Sequence, residues 1–254
     1  MAELIIVFRE VLEGTLIVGI LYTFLKQTNQ VDTIAKLWQG VFAALVASVI
    51  GSFLFQSFAG GFTGQAGKLF EGIVMIVAAA VLGTVIVWMA KNKNISEELK
   101  GKAQEALSSE KVNRGIFLLA FISVFREGIE TILFLYGVMM KQGGLSISLS
   151  LVGAFMGIGM GYLIFVQGKK VPLKTFFNVS SILLIFVAAG MFAYGIHELE
   201  SAGIITDYGR IWDINTQKLP DGSYPMFHDK GNVGALFKGL FGYNGDPSAI
   251  EVLV

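Results

Sequence analysis

The string Phe-Arg-Glu-x-x-Glu occurs twice in this chain, as Phe8-Arg9-Glu10-Val11-Leu12-Glu13 and as Phe125-Arg126-Glu127-Gly128-Ile129-Glu130. Both copies lie inside apolar runs that are long enough to cross a bilayer, which takes about 20 residues. Charged side chains in hydrocarbon are costly, so within a membrane span they indicate a functional site by default. Two copies therefore predict that the function of the chain is built around this charged string.

The spacing within each copy predicts how its side chains are arranged. In a helix, two glutamates three residues apart project from one face, so Glu10 lies near Glu13 and Glu127 near Glu130. Each arginine lies four residues before the second glutamate, where an ion pair lowers the cost of carrying that carboxylate into the membrane. Two such helices facing one another would gather four carboxylates and two guanidiniums. That arrangement is an oxygen-lined site suited to a hard cation.

A single Arg-Glu-x-x-Glu string is more often the salt-bridged surface of a soluble helix than a functional site. The composition of this chain argues against that interpretation. Of its 254 residues 54% are hydrophobic and only 15% are charged, and the mean hydropathy is +0.67. These values predict an integral membrane protein. The first apolar run lacks a basic leader and a small-residue cleavage site, so we expect it to be retained as a span.

Composition also excludes several classes of partner and site. Acidic and basic residues are equal in number, and nothing resembles a basic stripe, so no nucleic-acid partner is expected. The chain has no cysteine, which excludes disulfides, thiolate metal ligands and a cysteine nucleophile. Any metal site in this chain is therefore built without thiolate ligands.

Six apolar runs are long enough to span a membrane, and they cover residues 4–25, 36–58, 70–90, 115–140, 145–167 and 175–197. We therefore expect an all-α, polytopic transmembrane helical bundle. The polar stretch between the third and fourth runs predicts a short surface helix. Positive residues mark the cytoplasmic side. They follow the first, third and fifth runs and include Lys26, Lys36, Lys169, Lys170 and Lys174. This bias predicts an extracytoplasmic N-terminus.

Three spans precede the polar stretch and three follow it, so the two halves would enter the membrane in opposite directions. This predicts an inverted repeat of three plus three helices, with the charged strings meeting near its centre. The expected domains are a first three-helix repeat at 1–90, a cytoplasmic connector at 91–114, a second three-helix repeat at 115–198 and an extracytoplasmic tail at 199–254. Outside the charged string the halves share little side-chain similarity.

Three further features are candidates for function or packing. Glu71, near the start of the third span, is as readily an outer metal ligand as an interfacial charge. His197, at the end of the sixth span, is more readily an interfacial cap than a ligand. Gly153, Gly157 and Gly161 recur at four-residue spacing, which predicts close helix packing rather than a substrate path.

Together these residues resemble the iron permease family, which includes fungal high-affinity ferric iron permeases and bacterial EfeU-type permeases. The family motif is Arg-Glu-Gly-Leu-Glu in the first and fourth spans. Here Val11 replaces the glycine of the first copy and Ile129 the leucine of the second, while every charged position is kept. We expect Val11 to hold its helix farther from its neighbour than glycine would. Similarity extends through Leu69-Phe70-Glu71-Gly72-Ile73, Phe186-Val187-Ala188-Ala189-Gly190 and Phe241-Gly242-Tyr243.

The resemblance implies a multi-pass protein of the cell membrane that passes iron by way of the motif glutamates. The implied metal ligands are Glu10, Glu13, Glu127 and Glu130, with Glu71 as an outer ligand and Arg9 and Arg126 in support. Iron is then the cargo, no cofactor is expected, and the chain is not an enzyme. The implied partners are an extracytoplasmic iron oxidase or a periplasmic iron-handling protein. The family has seven spans, and residues 248–254 read as the start of a seventh that this chain lacks.

Several alternatives stay open at this point. Ferric iron is favoured over ferrous iron, but Mn²⁺ and Mg²⁺ accept the same oxygen ligands. A membrane scaffold or sensor would bind metal at the charged strings without moving it. A membrane di-iron oxidase is disfavoured, because such sites usually add Glu-x-x-His strings, which the sequence lacks. The sequence permits a homo-oligomer and does not distinguish a carrier from a channel.

Overall fold

The computed structural model describes residues 2–91, 95–108, 112–165, 173–206, 209–215, 218–219, 223–241 and 243–253. Within these residues the fold is all-α, as predicted. The helices are α1 (Ala2–Gln27), α2 (Ile34–Ala59), α3 (Gly64–Lys91), α4 (Ile95–Leu107), α5 (Val112–Gln142), α6 (Ile147–Phe165), α7 (Leu173–Ser201), α8 (Asn232–Phe241) and α9 (Ala249–Leu253). Lys169, Lys170 and Gly242, which the sequence interpretation used, lie outside the described residues.

The six longest described helices coincide with the six predicted spans, and the connector contains the predicted surface helix, α4. Within the part of the chain that the structure describes, four stretches are long and apolar enough to cross a membrane, namely Val31–Ala59, Gly64–Trp88, Ile147–Phe165 and Phe177–Ser201. The other two long helices, α1 and α5, carry the charged strings. Large apolar side chains such as Phe42, Phe53 and Phe155 are exposed on α2 and α6. A polytopic membrane protein turns such faces toward lipid.

Helix α1 packs mainly along α6, and its contacts show that the two helices run in the same direction. The close approaches join Gly153 to Leu4, Gly157 to Val11 and Gly161 to Thr15. The predicted packing role of these glycines is therefore confirmed. Helix α2 packs in the same way along α5, again in parallel, with Gly40 against Phe117 and Gly128 against Ser48.

Two other pairs run in opposite directions. Helix α3 packs along α7, where Gly72 faces Gly195 and the Gln65 side chain donates a hydrogen bond of 2.6 Å to the Ala202 carbonyl. Helix α1 crosses α5, and Ile6 at its start shares a hydrophobic cluster with Phe134 late in α5. In an inverted repeat of this chain, α1, α2 and α3 correspond to α5, α6 and α7. The α1–α6 pair then corresponds to the α5–α2 pair, and both pairs are parallel. This is the pairing that an inverted repeat predicts.

Two buried apolar clusters hold the bundle together. The α7 cluster joins α1, α3, α5 and α7 and includes Ile6, Met75, Phe134 and Met191. The α4 cluster joins α1, α2, α4 and α5 and includes Leu25, Leu37, Ala103 and Ile116. Along both α1 and α5, the charged string lies between the residues of the two clusters. The fold therefore places apolar packing on both sides of the charged residues.

The tail folds back on the end of α7. Its last helix, α9, begins with a capping box, in which Ser248 Oγ accepts a hydrogen bond from the Glu251 N–H and Glu251 Oε2 accepts one from the Ser248 N–H. His197 Nδ1 lies 3.5 Å from Glu251 Oε2, so this side chain contacts the tail. Burial raises the pKa of Glu251, but hydrogen bonds from His197 and the Ser248 N–H lower it further, so the pKa lies below its ordinary value.

The two copies of the charged string achieve close helix packing in different ways. At Gly157 an added Cβ atom would lie 2.9 Å from Val11 Cγ1 and 3.0 Å from the Leu12 backbone nitrogen. In the second copy the small residue is on the motif helix itself, since a Cβ atom at Gly128 would overlap the Ser48 side chain. Helix α1 thus lies close to α6 despite Val11, because the neighbouring helix supplies the glycine.

Replacing Gly157 with leucine should therefore destabilise the bundle by about 1–3 kcal/mol, the usual cost of overpacking. The matched control is Gly159→Leu on the same helix, where an added Cβ atom meets nothing within 4 Å. Thermal unfolding of both purified variants in detergent measures the difference. Equal melting temperatures for the two variants would show that α1 does not depend on this close approach.

Candidate metal centre

Helices α1 and α5 bring their glutamates together where they cross. Glu10, Glu127 and Glu130 each offer one carboxylate oxygen, and these oxygens lie within 4.8 Å of one another. All three side chains are buried. This is the only group of three or more potential ligands that meets this spacing within the described residues. Two copies of one string, distant in sequence, thus form one site.

Both arginines make the ion pairs that the spacing predicts. Arg9 Nε lies 2.8 Å from Glu13 Oε1, and Arg126 Nε lies 2.7 Å from Glu130 Oε1. Arg9 also contacts the neighbouring carboxylate, with Nη1 3.0 Å from Glu10 Oε1. The guanidiniums therefore neutralise part of the carboxylate charge, which reduces the cost of burying it.

Three carboxylates keep an unused oxygen in the interior. Glu10 Oε2, Glu127 Oε2 and Glu130 Oε2 are buried and accept no hydrogen bond from the described residues. An unsatisfied buried polar atom costs about 1–3 kcal/mol, so three of them in one place call for a shared partner. A cation that prefers oxygen ligands fits that requirement.

The backbone beside the centre leaves room for the carboxylates. Gly14 follows the first copy directly, and a Cβ atom built there would lie 4.0 Å from Glu127 Cγ. Larger side chains at this position would reach toward Glu127. A single methyl group at this position would therefore make an ordinary van der Waals contact with Glu127.

Trp88 of α3 is a neighbour of the centre that sequence reasoning missed. The Cζ atom of Arg126 lies 5.2 Å from the centroid of its ring, which is within the range of a cation–π interaction. No spacing rule connects residues 38 positions apart in different helices, so the sequence carried no signal for this contact.

Glu13, the remaining predicted ligand of the charged strings, is not part of this group of three and pairs with Arg9. Two further candidates from the sequence lie away from the centre. Glu71 is not part of the carboxylate group; its charged neighbours are Glu198 and Lys68. The outer-ligand role of Glu71 stays a prediction. His197 faces Glu251 of the tail and is likewise outside the group.

Known proteins resemble this chain along nearly its whole length. Residues 1–244 match the family described as the iron permease FTR1 family. The chain is 32% identical to the ferrous iron permease EfeU of Yersinia pestis over 255 aligned residues. This alignment covers 98% of this chain and 87% of that protein. It is 30% identical over 258 residues to the ferrous iron permease EfeU of Escherichia coli O6:K15:H31, covering 98% and 89% of the two chains. An uncharacterized protein of Archaeoglobus fulgidus is 30% identical over 260 residues, covering 100% and 90%. No solved structure matches the chain.

Proposed function

Since the chain belongs to the iron permease FTR1 family, we propose that it carries iron across the cell membrane through a site formed by Glu10, Glu13, Glu127 and Glu130. The observation that supports this site most strongly is the convergence of three buried carboxylates from both charged strings, with ligand oxygens within 4.8 Å of one another. The unused buried oxygens of these groups give a hard cation its ligands. Glu13, held by Arg9, supplies a fourth negative charge.

The arginines make this site suitable for passage rather than permanent binding. Four carboxylates without counter-ions would hold a multivalent cation very tightly, whereas two guanidiniums reduce the net negative charge. A transport site must bind an ion strongly enough to take it up and weakly enough to release it. Arg9 and Arg126 thus support transport by moderating the affinity of the carboxylates.

The oxidation state of the iron is part of the proposal. The resemblance seen in the sequence favoured ferric iron, whereas the relatives from Yersinia pestis and Escherichia coli are named ferrous iron permeases. When all six charged groups of the two strings are ionised, their formal charge is −2. That charge is balanced by a divalent ion, so we propose ferrous iron as the cargo of the site in its present arrangement. We expect a ferrous chelator to inhibit uptake strongly. Uptake that is insensitive to the chelator would instead indicate ferric iron as the cargo.

We further propose that the ion reaches the site from the extracytoplasmic side, where a periplasmic iron-handling protein would deliver ferrous iron. An extracytoplasmic iron oxidase would be the partner of a site that takes ferric iron. The chain itself is proposed to act as a transporter without a catalytic role or a resident cofactor. The family supports a membrane transport protein, and an oriented assay with the partner added on one side tests the direction.

The test of the proposed function is uptake of radiolabelled iron by proteoliposomes that contain the purified chain. The variant Glu13→Gln, Glu130→Gln keeps the side-chain shapes while it removes two charges. We expect uptake by the wild type that resists excess Mg²⁺ and Mn²⁺ and is lost in the variant. Iron that binds to the wild type without being transported would favour the membrane scaffold instead, and equal uptake of Mn²⁺ would favour a general transporter of hard divalent cations.

Uptake should fall as the pH is lowered from about 8 to about 5. Carboxylates crowded in a low-dielectric site hold protons while it is empty, and iron must displace them. The measurement is the initial uptake rate at clamped pH, with a protonophore present so that a proton gradient does not contribute. A rate that stays constant across this range would contradict protonatable carboxylates as the iron ligands.

A further inference from the structure

The two arginines of the charged strings have the same sequence context but different surroundings. Arg9 is 0% exposed and contacts both glutamates of its own string. Arg126 is 48% exposed, and among the described residues its carboxylate contact is Glu130. The two arginines therefore occupy different environments, although the sequence around them is repeated.

The guanidinium of Arg126 is held between Glu130 and an aromatic ring. Its Cζ atom lies 5.2 Å from the centroid of the Trp88 ring, and an arginine at this distance is attracted to the face of the ring. Trp88 is itself partly exposed. On α5 the exposed face continues through Leu118, Ile122 and Ile129, at the spacing of one helix face. Because this side of Arg126 lies at the surface of the bundle, its long side chain can leave Glu130 by extending along that surface toward the polar membrane interface, without repacking the helices. The enclosed Arg9 has no such route away from its partners.

The formal charge of the site depends on whether Arg126 remains paired with Glu130. With both guanidiniums in place the four carboxylates leave a charge of −2, and without Arg126 they leave −3. The first value balances a divalent cation and the second a trivalent one. A guanidinium next to Glu130 repels each additional unit of charge on an ion that Glu130 binds. Retention of Arg126 therefore penalises a trivalent ion more than a divalent ion.

We propose that Trp88 is a positioning residue that keeps Arg126 on Glu130 and thereby sets the site to prefer divalent over trivalent cations. Arg9 is the fixed counter-ion of the site and Arg126 the movable one. This inference rests on the proposed function, because it takes the motif carboxylates as the metal ligands. It assigns a selectivity role to a residue of α3 that lies outside both charged strings.

The test compares the affinities of purified protein in lipid nanodiscs for Fe²⁺, under anaerobic conditions, and for Ga³⁺, with a weak chelator of known affinity keeping both ions in solution. The variants are Trp88→Leu, which removes the ring, Trp88→Phe, which keeps an aromatic face, and Arg126→Gln, which removes the charge. Trp38→Leu is the matched control, since Trp38 is an exposed tryptophan of α2. The readout is the ratio of the two dissociation constants.

We expect Arg126→Gln to shift this ratio toward Ga³⁺ by on the order of tenfold or more, because one nearby unit charge is removed. Trp88→Leu should shift the ratio several-fold in the same direction, Trp88→Phe less, and Trp38→Leu not at all. An unchanged ratio in Trp88→Leu would overturn the inference, and so would an equal loss of affinity for both ions, which indicates a purely structural role. Wild-type protein that binds neither ion would instead contradict the proposed function.

Discussion

Replacing Glu127 with glutamine should reduce iron uptake by on the order of 100-fold or more. Glu127 is buried, and its Oε2 atom is one of the three unused oxygens at the centre. The substitution removes one unit of negative charge next to the ion, and one charge pair at 4 Å corresponds to about 4 kcal/mol at an effective dielectric constant of 20. Neither arginine forms an ion pair with Glu127 among the described residues. The variant therefore removes a ligand without leaving a guanidinium unpartnered.

The measurement is the initial rate of radiolabelled iron uptake by proteoliposomes, together with equilibrium binding of iron to the detergent-purified variant. Glu71→Gln is the matched control, since it also neutralises a membrane glutamate but lies beside Glu198 and Lys68, away from the centre. We expect this control to retain more uptake than Glu127→Gln, and both variants to keep the melting temperature of the wild type. Uptake by Glu127→Gln at the wild-type rate would remove this residue from the ion path.

Replacing Arg9 with methionine should destabilise the protein by about 3–5 kcal/mol, the usual cost of removing one partner of a buried ion pair. Arg9 is fully buried and contacts Glu10 at 3.0 Å and Glu13 at 2.8 Å. Its loss leaves two carboxylates in the interior without their counter-ion. We expect little folded protein in the membrane and a large fall in melting temperature for whatever is purified.

The matched variant is Arg126→Met, which should cost less stability than Arg9→Met, because it leaves one buried carboxylate without its counter-ion instead of two. Adding Glu13→Gln to the Arg9→Met variant should restore part of the lost stability, because it removes one buried carboxylate that has no counter-ion. Thermal unfolding in the same detergent compares all three proteins. Similar melting temperatures for Arg9→Met and Arg126→Met would contradict the different surroundings that we describe for the two arginines.

Much of this fold could be predicted because the membrane restricts what the chain can form. Apolar runs of about 20 residues predict spanning helices, and α1, α2, α3, α5, α6 and α7 lie where those runs are. The repeated string also predicted that α1 and α5 would meet, since isolated charges within hydrocarbon need partners. The i to i+4 ion pairs of Arg9 and Arg126 followed from helix geometry alone.

What the sequence could not predict depends on contacts between helices. The compensation of Val11 by Gly157, and of Ser48 by Gly128, requires knowing which helices are neighbours. The same is true of Trp88, whose ring meets Arg126 from another helix. The unequal burial of the two arginines is likewise a property of the assembled bundle. Local spacing describes one helix face at a time, and none of these features lies on a single face.

The proposed iron site is tested most directly by locating the bound iron. Anomalous scattering at the iron absorption edge, measured on crystals grown with ferrous iron under anaerobic conditions, would show where the ion binds. We expect a peak between Glu10, Glu127 and Glu130, and its loss in Glu127→Gln. A peak confined to Glu71 and Glu198, with none between α1 and α5, would contradict the claim that the two charged strings form the iron site.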